Sequence, residues 1–318
     1  MCTAATYQAK DFYCGRNLDY EMTYGESVAV TPRHFPLPGA GREHYAMIGI
    51  AHVRNGYPLY YDAVNEKGLC VAGLNFVGNA VYGVAAAGRE AVPQYAFIPW
   101  LLGRCATLRQ ARELLERTTI TGQPFCADLP PAQLHWMVAD RSGCLVVEPL
   151  ADGLHLYDNP VGVLTNNPPF PEQLRRLSDY QQLSAQPPVN RFSSAVPAPA
   201  YSRGMGAFGL PGDLSSPSRF VRAAFVRLNS RSGEDERSAV HQFFHILSAV
   251  EQPRGCCAVG EERYEFTQYS CCCNADRGIY YTATYEDRTI RAMELHRENP
   301  DGEALTVRPL GENPPAFT

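Results

Sequence analysis

The first 21 residues, MCTAATYQAKDFYCGRNLDYE (Met1–Glu21), place a cysteine directly after the initiator methionine. The stretch TAATYQA is rich in β-branched and aromatic residues, which is typical of a β-strand. Methionine before a small residue is commonly removed after synthesis, and its removal here makes Cys2 the new N-terminus. Cys2 would then carry a thiol and an α-amino group on a single residue, and it is therefore our first candidate for a nucleophile.

A thiol and an amine on the same residue supply both groups that acyl transfer needs: the thiol is the nucleophile and the amine is the base. In model peptides an α-amino group titrates near ~8 and a thiol near ~8.5, so such a pair exchanges its proton close to neutral pH. The amine then needs no histidine to accept the proton, as in hydrolases with N-terminal threonine or serine. The alternative interpretation is that position 2 simply holds a small residue.

Three charged residues favour the catalytic interpretation of the cysteine. Arg16 and Asp19 follow in the same stretch, and we expect Asp19 to hold the new ammonium group and Arg16 to favour the thiolate. Arg219 follows Ser215 and Pro217, which predict the start of a helix. A cation there faces the positive end of the helix dipole, at a cost of ~0.3–1 kcal/mol, and a thiolate would compensate for this. The alternative is that all three are exposed surface charges of little energetic weight.

Two asparagines are candidates for stabilising a tetrahedral oxyanion. Asn75 ends the strand-like run AGLNF, and Asn166 lies in VLTNNPP. Acyl transfer requires hydrogen-bond donors arranged where the oxyanion forms, and asparagine amides serve this purpose. Asn-Asn-Pro is also a common turn sequence, so the alternative for Asn166 is a purely structural role.

The remainder of the chain alternates between blocks of strands and blocks of helices. Residues 65–68, NEKG, lie between two strand-like runs and predict a hairpin turn. Strands are predicted within residues 26–33, 46–53, 58–76, 133–158 and 264–296. Helices are predicted over residues 97–118, 171–184, 215–229 and 234–250. This order indicates an α+β protein in which helices cover antiparallel sheets, and we expect one domain spanning residues 1–318.

Composition excludes several classes of protein. The net charge of -5 and the lack of a basic run argue against nucleic acid as a partner. No stretch approaches the ~20 apolar residues of a membrane span, and the N-terminus lacks the pattern of a secretory signal. We therefore expect a cytoplasmic protein whose 11 cysteines, Cys14 among them, are mostly free thiols. A metal site is the alternative, but the paired cysteine or histidine spacing of such sites is not found.

Four separated motifs resemble one family along essentially the whole chain. They are MCT…GRNLDYE, YYDAVNEKGLCVAGLNF, GVLTNNPPF and YSRGMGAFGLPGDLSSPSRFVRAAF. Together they are similar to the choloylglycine hydrolase family of N-terminal nucleophile amidases, which comprises bacterial conjugated bile salt hydrolases and penicillin V acylases. The resemblance implies a four-layer αββα sandwich of two antiparallel sheets, often a homotetramer, without a cofactor.

The resemblance also assigns the catalytic roles. The nucleophile, its charged partners and the oxyanion asparagines map onto Cys2, Arg16, Asp19, Arg219, Asn75 and Asn166. The implied reaction is hydrolysis of glycine- or taurine-conjugated bile acids through a thioester. The alternatives are an acylase of the same family acting on penicillin V or N-acyl homoserine lactones, and a non-catalytic thiol or metal-binding protein.

A steroid substrate requires an apolar, partly aromatic cleft. The segments 20–27 and 56–62 and the region of residue 125 supply candidate side chains, namely Met22, Tyr24, Leu59, Tyr60 and Phe125. Arg203 is a candidate for pairing with the anionic end of the conjugate, because its planar fork of donors fits a carboxylate or sulfonate.

Overall fold

The computed structural model describes residues 1–39, 41 and 43–317. The strands in this part of the chain are, in order, Cys2–Gln8 (β1), Phe12–Tyr20 (β2), Ser27–Thr31 (β3), Met47–Arg54 (β4), Tyr57–Asn65 (β5), Cys70–Asn75 (β6), Glu90–Pro93 (β7), Thr118–Thr121 (β8), Leu134–Asp140 (β9), Gly143–Leu150 (β10), Gly153–Asp158 (β11), Val163–Leu164 (β12), Ala258–Gly260 (β13), Arg263–Tyr264 (β14), Phe266–Asn274 (β15), Ile279–Thr284 (β16), Arg291–Glu294 (β17) and Thr306–Pro309 (β18). The helices are Phe97–Arg104 (α1), Leu108–Leu115 (α2), Phe170–Arg176 (α3), Ser216–Asn229 (α4) and Glu236–Ser248 (α5).

Two large antiparallel sheets form the centre of the molecule. Among the described residues, one sheet has six strands in the order β12-β1-β2-β15-β16-β17, and the other has eight in the order β11-β10-β9-β6-β5-β4-β3-β18. Helices α4 and α5 pack on the six-stranded sheet, and α1 and α2 pack on the eight-stranded sheet. The expected α+β class with four αββα layers is therefore confirmed.

The hairpin of β1 and β2 lies in the interior of the molecule. Every residue from Cys2 to Tyr7 is buried, because the sheet is covered by helices on one face and by the second sheet on the other. Gly15 lies where β2 approaches β15 most closely, since a Cβ atom at this position would meet the carbonyl oxygen of Cys271 at 2.0 Å. The hairpin is thus fixed in the core, and it holds Cys2 in a defined place.

The hairpin turn at residues 65–68 is confirmed. The side-chain oxygen of Asn65 accepts hydrogen bonds from the backbone N–H groups of Lys67 (3.1 Å) and Leu69 (3.0 Å). Gly68 has a φ of 85°, in the left-handed region where glycine is favoured. This turn joins β5 to β6, the strand that ends at Asn75.

The prediction of a single helix over residues 97–118 is wrong, because the chain forms two helices there. Thr107 has an extended backbone, and its side chain accepts a hydrogen bond from the N–H of Gln110, so it caps a new helix. The helix expected over residues 171–184 is also shorter than predicted. It ends as α3 at Arg176 and continues as a 3-10 turn over Leu177–Tyr180.

The expectation that Cys14 is a free thiol is wrong as well. Cys14 on β2 and Cys70 on β6 form a disulfide that joins the two sheets. The two cysteines are 56 positions apart in the sequence, and no local pattern indicates the pairing, since only the stacking of the sheets brings the two strands together. The other nine cysteines are unpaired. Among the described residues, no helix is both long and apolar enough to cross a membrane.

Candidate active site

The thiol of Cys2 lies against the guanidinium of Arg16. In the β1–β2 ladder Cys2 pairs with Leu18 and Ala4 pairs with Arg16, so the Cys2 and Arg16 side chains are diagonal neighbours on one face. Nη2 of Arg16 donates to Sγ of Cys2 at 2.6 Å, and both side chains are about 1% exposed. Burial acts to lower the pKa of Arg16, but the nearby Cys2 and other anionic groups outweigh it and raise that pKa. Arg16 is thus a permanent cation in direct contact with the Cys2 sulfur.

Asp19 and Arg219 form a buried charged pair beside Cys2. Nη1 of Arg219 lies 3.8 Å from Oδ2 of Asp19, and both side chains are fully buried. Burial raises the pKa of Asp19, while Arg219 acts in the opposite direction. Burial likewise lowers the pKa of Arg219, and the neighbouring Asp19 and Cys2 act to raise it. The two charges therefore support each other in a place where neither would be stable alone.

Arg219 holds the backbone of Cys2. It is the fourth residue of α4, and its Nη1 donates to the carbonyl oxygen of Cys2 and to Oγ1 of Thr3, both at 2.6 Å. Its Nη2 donates to Oδ1 of Asn166 at 2.7 Å. The first turn of α4 therefore points a cation at the start of β1, as the position of Arg219 in the sequence indicated.

Asn166 contacts both Cys2 and the other candidate asparagine, Asn75. Its Oδ1 accepts a hydrogen bond from the backbone nitrogen of Cys2 at 2.9 Å, and its Nδ2 donates to the carbonyl oxygen of Asn75 at 2.7 Å. Asn75 itself lies in the wall of the cleft that contains Cys2. The structure thus brings together all six candidate catalytic residues, which come from β1, β2, β6, α4 and the segment after β12.

Met1 occupies a polar site at the end of β1. Its α-amino group donates to Oε1 of Glu265 at 2.6 Å and to the carbonyl oxygen of Asp19 at 2.5 Å. While Met1 is present, the nitrogen of Cys2 is an amide and cannot accept a proton. Removal of Met1 converts this nitrogen, already hydrogen-bonded to Asn166, into an amine.

Cys2 and Arg16 lie in the wall of a cleft of about 390 Å³. Its lining is mainly aromatic and aliphatic, and includes Leu18, Tyr20, Tyr24, Leu59, Tyr60, Tyr61, Tyr95, Ile98, Phe125, Leu129, Leu134 and Trp136. Polar side chains are interspersed at Glu26, His52, Gln94 and Asp128. A cleft of this kind binds a largely apolar ligand that carries a few polar groups.

Four of the six candidate substrate-binding residues line this cleft. They are Tyr24, Leu59, Tyr60 and Phe125. Met22 is 49% exposed and does not line the cleft. Arg203 lies on the exposed loop before α4, beside a separate shallow pocket.

Two residues that hold Asp19 were not found by the sequence analysis. Oγ1 of Thr267 donates to Oδ1 of Asp19 at 2.6 Å, and Nε2 of Gln252 donates to Oδ2 at 3.1 Å. Both are more than 230 residues away along the chain, and no local pattern marks them.

Tyr20 was also missed, although its spacing of two residues from Leu18 puts it on the face of β2 that carries Arg16.

The first strand of this two-sheet sandwich begins with a buried thiol, which lies beside a fixed cation and an apolar cleft. This arrangement is typical of amide hydrolases with an N-terminal nucleophile. The chain matches over residues 2–308 the family described as linear amide C-N hydrolases, choloylglycine hydrolase family. The chain belongs to this family.

Its relatives match it over nearly their full length. A bile salt hydrolase/transferase of Lactiplantibacillus plantarum is 49% identical over 98% of this chain and 97% of its own. The bile salt hydrolase/transferase of Clostridium perfringens is 34% identical over 96% and 95%. The solved structure of a conjugated bile acid hydrolase variant from Clostridium perfringens has a TM-score of 0.90 and 33% identity, and 98% of each chain is covered. A penicillin V acylase from Agrobacterium tumefaciens, at 20% identity and a TM-score of 0.77, shares the fold.

Proposed function

We propose that the protein hydrolyses the amide bond of glycine- or taurine-conjugated bile acids, with Cys2 as the nucleophile. The observation that carries this proposal is the position of the Cys2 thiol, 2.6 Å from Arg16, in the wall of an aromatic cleft of about 390 Å³. The family and the names of its bile salt-cleaving relatives support the same substrate. The steroid rings would lie against the aromatic lining, with the amide bond at Cys2.

The reaction proceeds through a thioester. Once Met1 has been removed, the Cys2 thiolate attacks the amide carbonyl carbon, and the oxyanion accepts hydrogen bonds from the side-chain amides of Asn75 and Asn166. Nδ2 of Asn166 has a second N–H available beyond the one it gives to Asn75. The α-ammonium of Cys2 then donates a proton to the departing nitrogen as the C–N bond breaks. Finally, the free amine takes a proton from water, which attacks the thioester and releases the bile acid.

A release assay tests the substrate. We expect glycine or taurine to be released from glycocholate or taurocholate by the parent enzyme and not by Cys2→Ala. Release of phenoxyacetate from penicillin V, without release of glycine or taurine, would instead assign the chain to the acylases of its family.

We further propose that the protein is one domain, assembles as a homotetramer and is located in the bacterial cytoplasm. The loop before α4 carries exposed apolar side chains that a partner subunit would cover, namely Val189, Phe192, Val196, Tyr201 and Phe208. Nine of the 11 cysteines form no disulfide, which supports a reducing compartment, although the Cys14–Cys70 disulfide is unusual there. Light scattering should then give four times the chain mass of 35.1 kDa, and a monomer mass would contradict the assembly.

A further inference from the structure

A buried pair of ionisable side chains lies behind the active site, in the eight-stranded sheet. His135 on β9 and Glu148 on β10 are both fully buried, and Nδ1 of His135 lies 3.0 Å from Oε1 of Glu148. The other ring nitrogen, Nε2, lies 2.9 Å from the carbonyl oxygen of Thr165. Since a carbonyl oxygen only accepts, Nε2 must carry a proton and donate it to Thr165. Burial of such a pair is costly, which raises the question of what it holds in place.

The pair fixes both ends of the segment 165–170. His135 binds the carbonyl of Thr165 at its beginning. Glu148 binds the N–H of Phe170 at its end, with distances of 3.0 Å to Oε1 and 3.1 Å to Oε2. Because Phe170 is the first residue of α3, Glu148 also satisfies one of the free N–H groups of that helix. Asn166 lies between these two anchor points.

Two further side chains hold the middle of the same segment. The N–H of Asn166 donates to Oγ of Ser216 at 2.8 Å. Nε2 of Gln173 donates to the carbonyl oxygens of Asn166 and Pro168 at 2.6 and 2.7 Å. The backbone around Asn166 is therefore held by hydrogen bonds from both sides, and its side chain has little freedom to leave the nitrogen of Cys2.

His135 also contacts the chain next to the other asparagine. Its ring is stacked on Phe76 with the centroids 4.2 Å apart and the planes at 5°. Phe76 directly follows Asn75, whose carbonyl oxygen accepts the hydrogen bond from Nδ2 of Asn166. One side chain thus touches the neighbours of both asparagines.

We propose that His135, oriented by Glu148, is a positioning residue for amide hydrolysis: it sets Asn75 and Asn166 relative to Cys2. This rests on the function proposed above, in which these asparagines stabilise the oxyanion. His135 lies outside the lining of the substrate cleft. It acts through the two asparagines and through the nitrogen of Cys2 that Asn166 holds.

Two substitutions separate positioning from simple packing. His135→Phe keeps an aromatic ring to stack on Phe76 but removes the donor to Thr165. Glu148→Gln keeps the hydrogen bonds, because its amide nitrogen donates to Nδ1 of His135 and its amide oxygen accepts from the N–H of Phe170. As a control, Leu114→Val removes a buried methylene group from α2, on the outer face of the same sheet.

The variants are compared by kcat and KM on glycocholate, well below their melting temperatures. We expect His135→Phe to lower kcat by between about 10- and 100-fold, as displaced catalytic groups do, with KM within about threefold of the parent value. Glu148→Gln should keep kcat within about threefold. If His135→Phe does not fold, His135→Gln, which retains one donor for Thr165, should keep more activity than Glu148→Ala.

Equal effects of His135→Phe and Leu114→Val on kcat would overturn the proposal, as would a kcat of Glu148→Gln as low as that of His135→Phe. With the second set of variants, Glu148→Ala at least as active as His135→Gln would overturn it too. Failure of the substrate assignment is recognised separately, because the parent would then cleave penicillin V and not glycocholate. The same variants measured on penicillin V would still decide the role of His135.

Discussion

Arg16 is the residue on which the reactivity of Cys2 most directly depends. Its guanidinium is buried, and in addition to the thiol it binds the backbone carbonyl oxygens of Tyr61 and Gly73. These contacts hold it in one orientation, so its charge does not have to reorganise when the thiolate forms. In the reaction proposed above, this cation lies where negative charge develops on the Cys2 sulfur, and it would stabilise that charge.

Replacing Arg16 with glutamine should therefore impair the nucleophile more than the binding of substrate. We expect kcat on glycocholate to fall about 100-fold or more, as when one preorganised electrostatic group is removed. Alkylation of Cys2 by iodoacetamide near neutral pH should slow as well, because less thiolate is present. Arg109→Gln is the matched control, since Arg109 is 77% exposed and forms a surface ion pair with Glu113. Alkylation of Arg16→Gln at the parent rate would contradict this role.

Helix α4 carries Arg219 to the nucleophile, and its N-terminus is stabilised by Asp213. Oδ1 of Asp213 accepts from the N–H of Ser215 at 3.0 Å, and Oδ2 accepts from Oγ of Ser218. These hydrogen bonds lower the pKa of Asp213 from 3.8 to about 2. A carboxylate also interacts favourably with the positive end of the helix dipole.

The stability that Asp213 contributes should depend on pH. Because its folded-state pKa is depressed, the contribution is present above the unfolded value of 3.8 and is lost as the pH falls through about 2. We expect the parent to be more stable than Asp213→Asn at about pH 5, and this difference to narrow as the pH falls below about 4. Urea denaturation of both proteins across this range measures it. A difference that stays constant with pH would contradict the role of the charge.

At the scale of elements, the sequence predicts what depends on local pattern. The start of α4, the turn at Asn65–Gly68 and the strand character of β1 were all visible in residue type and spacing. The break before α2 was not predicted, because the apolar period of residues 97–118 continues across Thr107. A single capping threonine hardly changes the helical spacing of the apolar residues, although it ends one helix and starts another.

The candidate site was predictable only in part, for a related reason. Cys2, Arg16 and Asp19 lie within one hairpin. Successive side chains of a strand point to opposite faces of the sheet, so the spacing indicates on which face each of them lies. The supports of the site, such as Thr267 and His135, reach it from strands that are distant in sequence. A polar residue type does not reveal which partner the side chain will contact until the sheets are assembled. These residues were therefore not predicted from the sequence.

The whole molecule depends on how the two sheets are held together. The Cys14–Cys70 disulfide links them directly, close to the strands that carry Arg16 and Asn75. Closing a loop between cysteines 56 positions apart reduces the entropy of the unfolded chain and stabilises the fold by about 4 kcal/mol in the simplest estimate. The sheets are also joined by the apolar core between them, so the fold does not depend on the disulfide alone.

Counting thiols tests this link. Alkylation of the denatured, unreduced protein should modify the nine free cysteines, and alkylation after reduction should modify all 11. Reduction, or the double substitution Cys14→Ala and Cys70→Ala, should lower the melting temperature. Eleven modified cysteines without reduction would contradict the pairing.

Acylation of Cys2 by the substrate, after the removal of Met1, is the step on which the proposed reaction depends. Acid-quenched enzyme taken during turnover of glycocholate can be digested and its N-terminal peptide examined by mass spectrometry. We predict a peptide that begins at Cys2 and carries the cholyl group as a thioester, and no such adduct in Cys2→Ala. Full turnover by chains that retain Met1, or a cholyl group attached to another residue, would contradict the account.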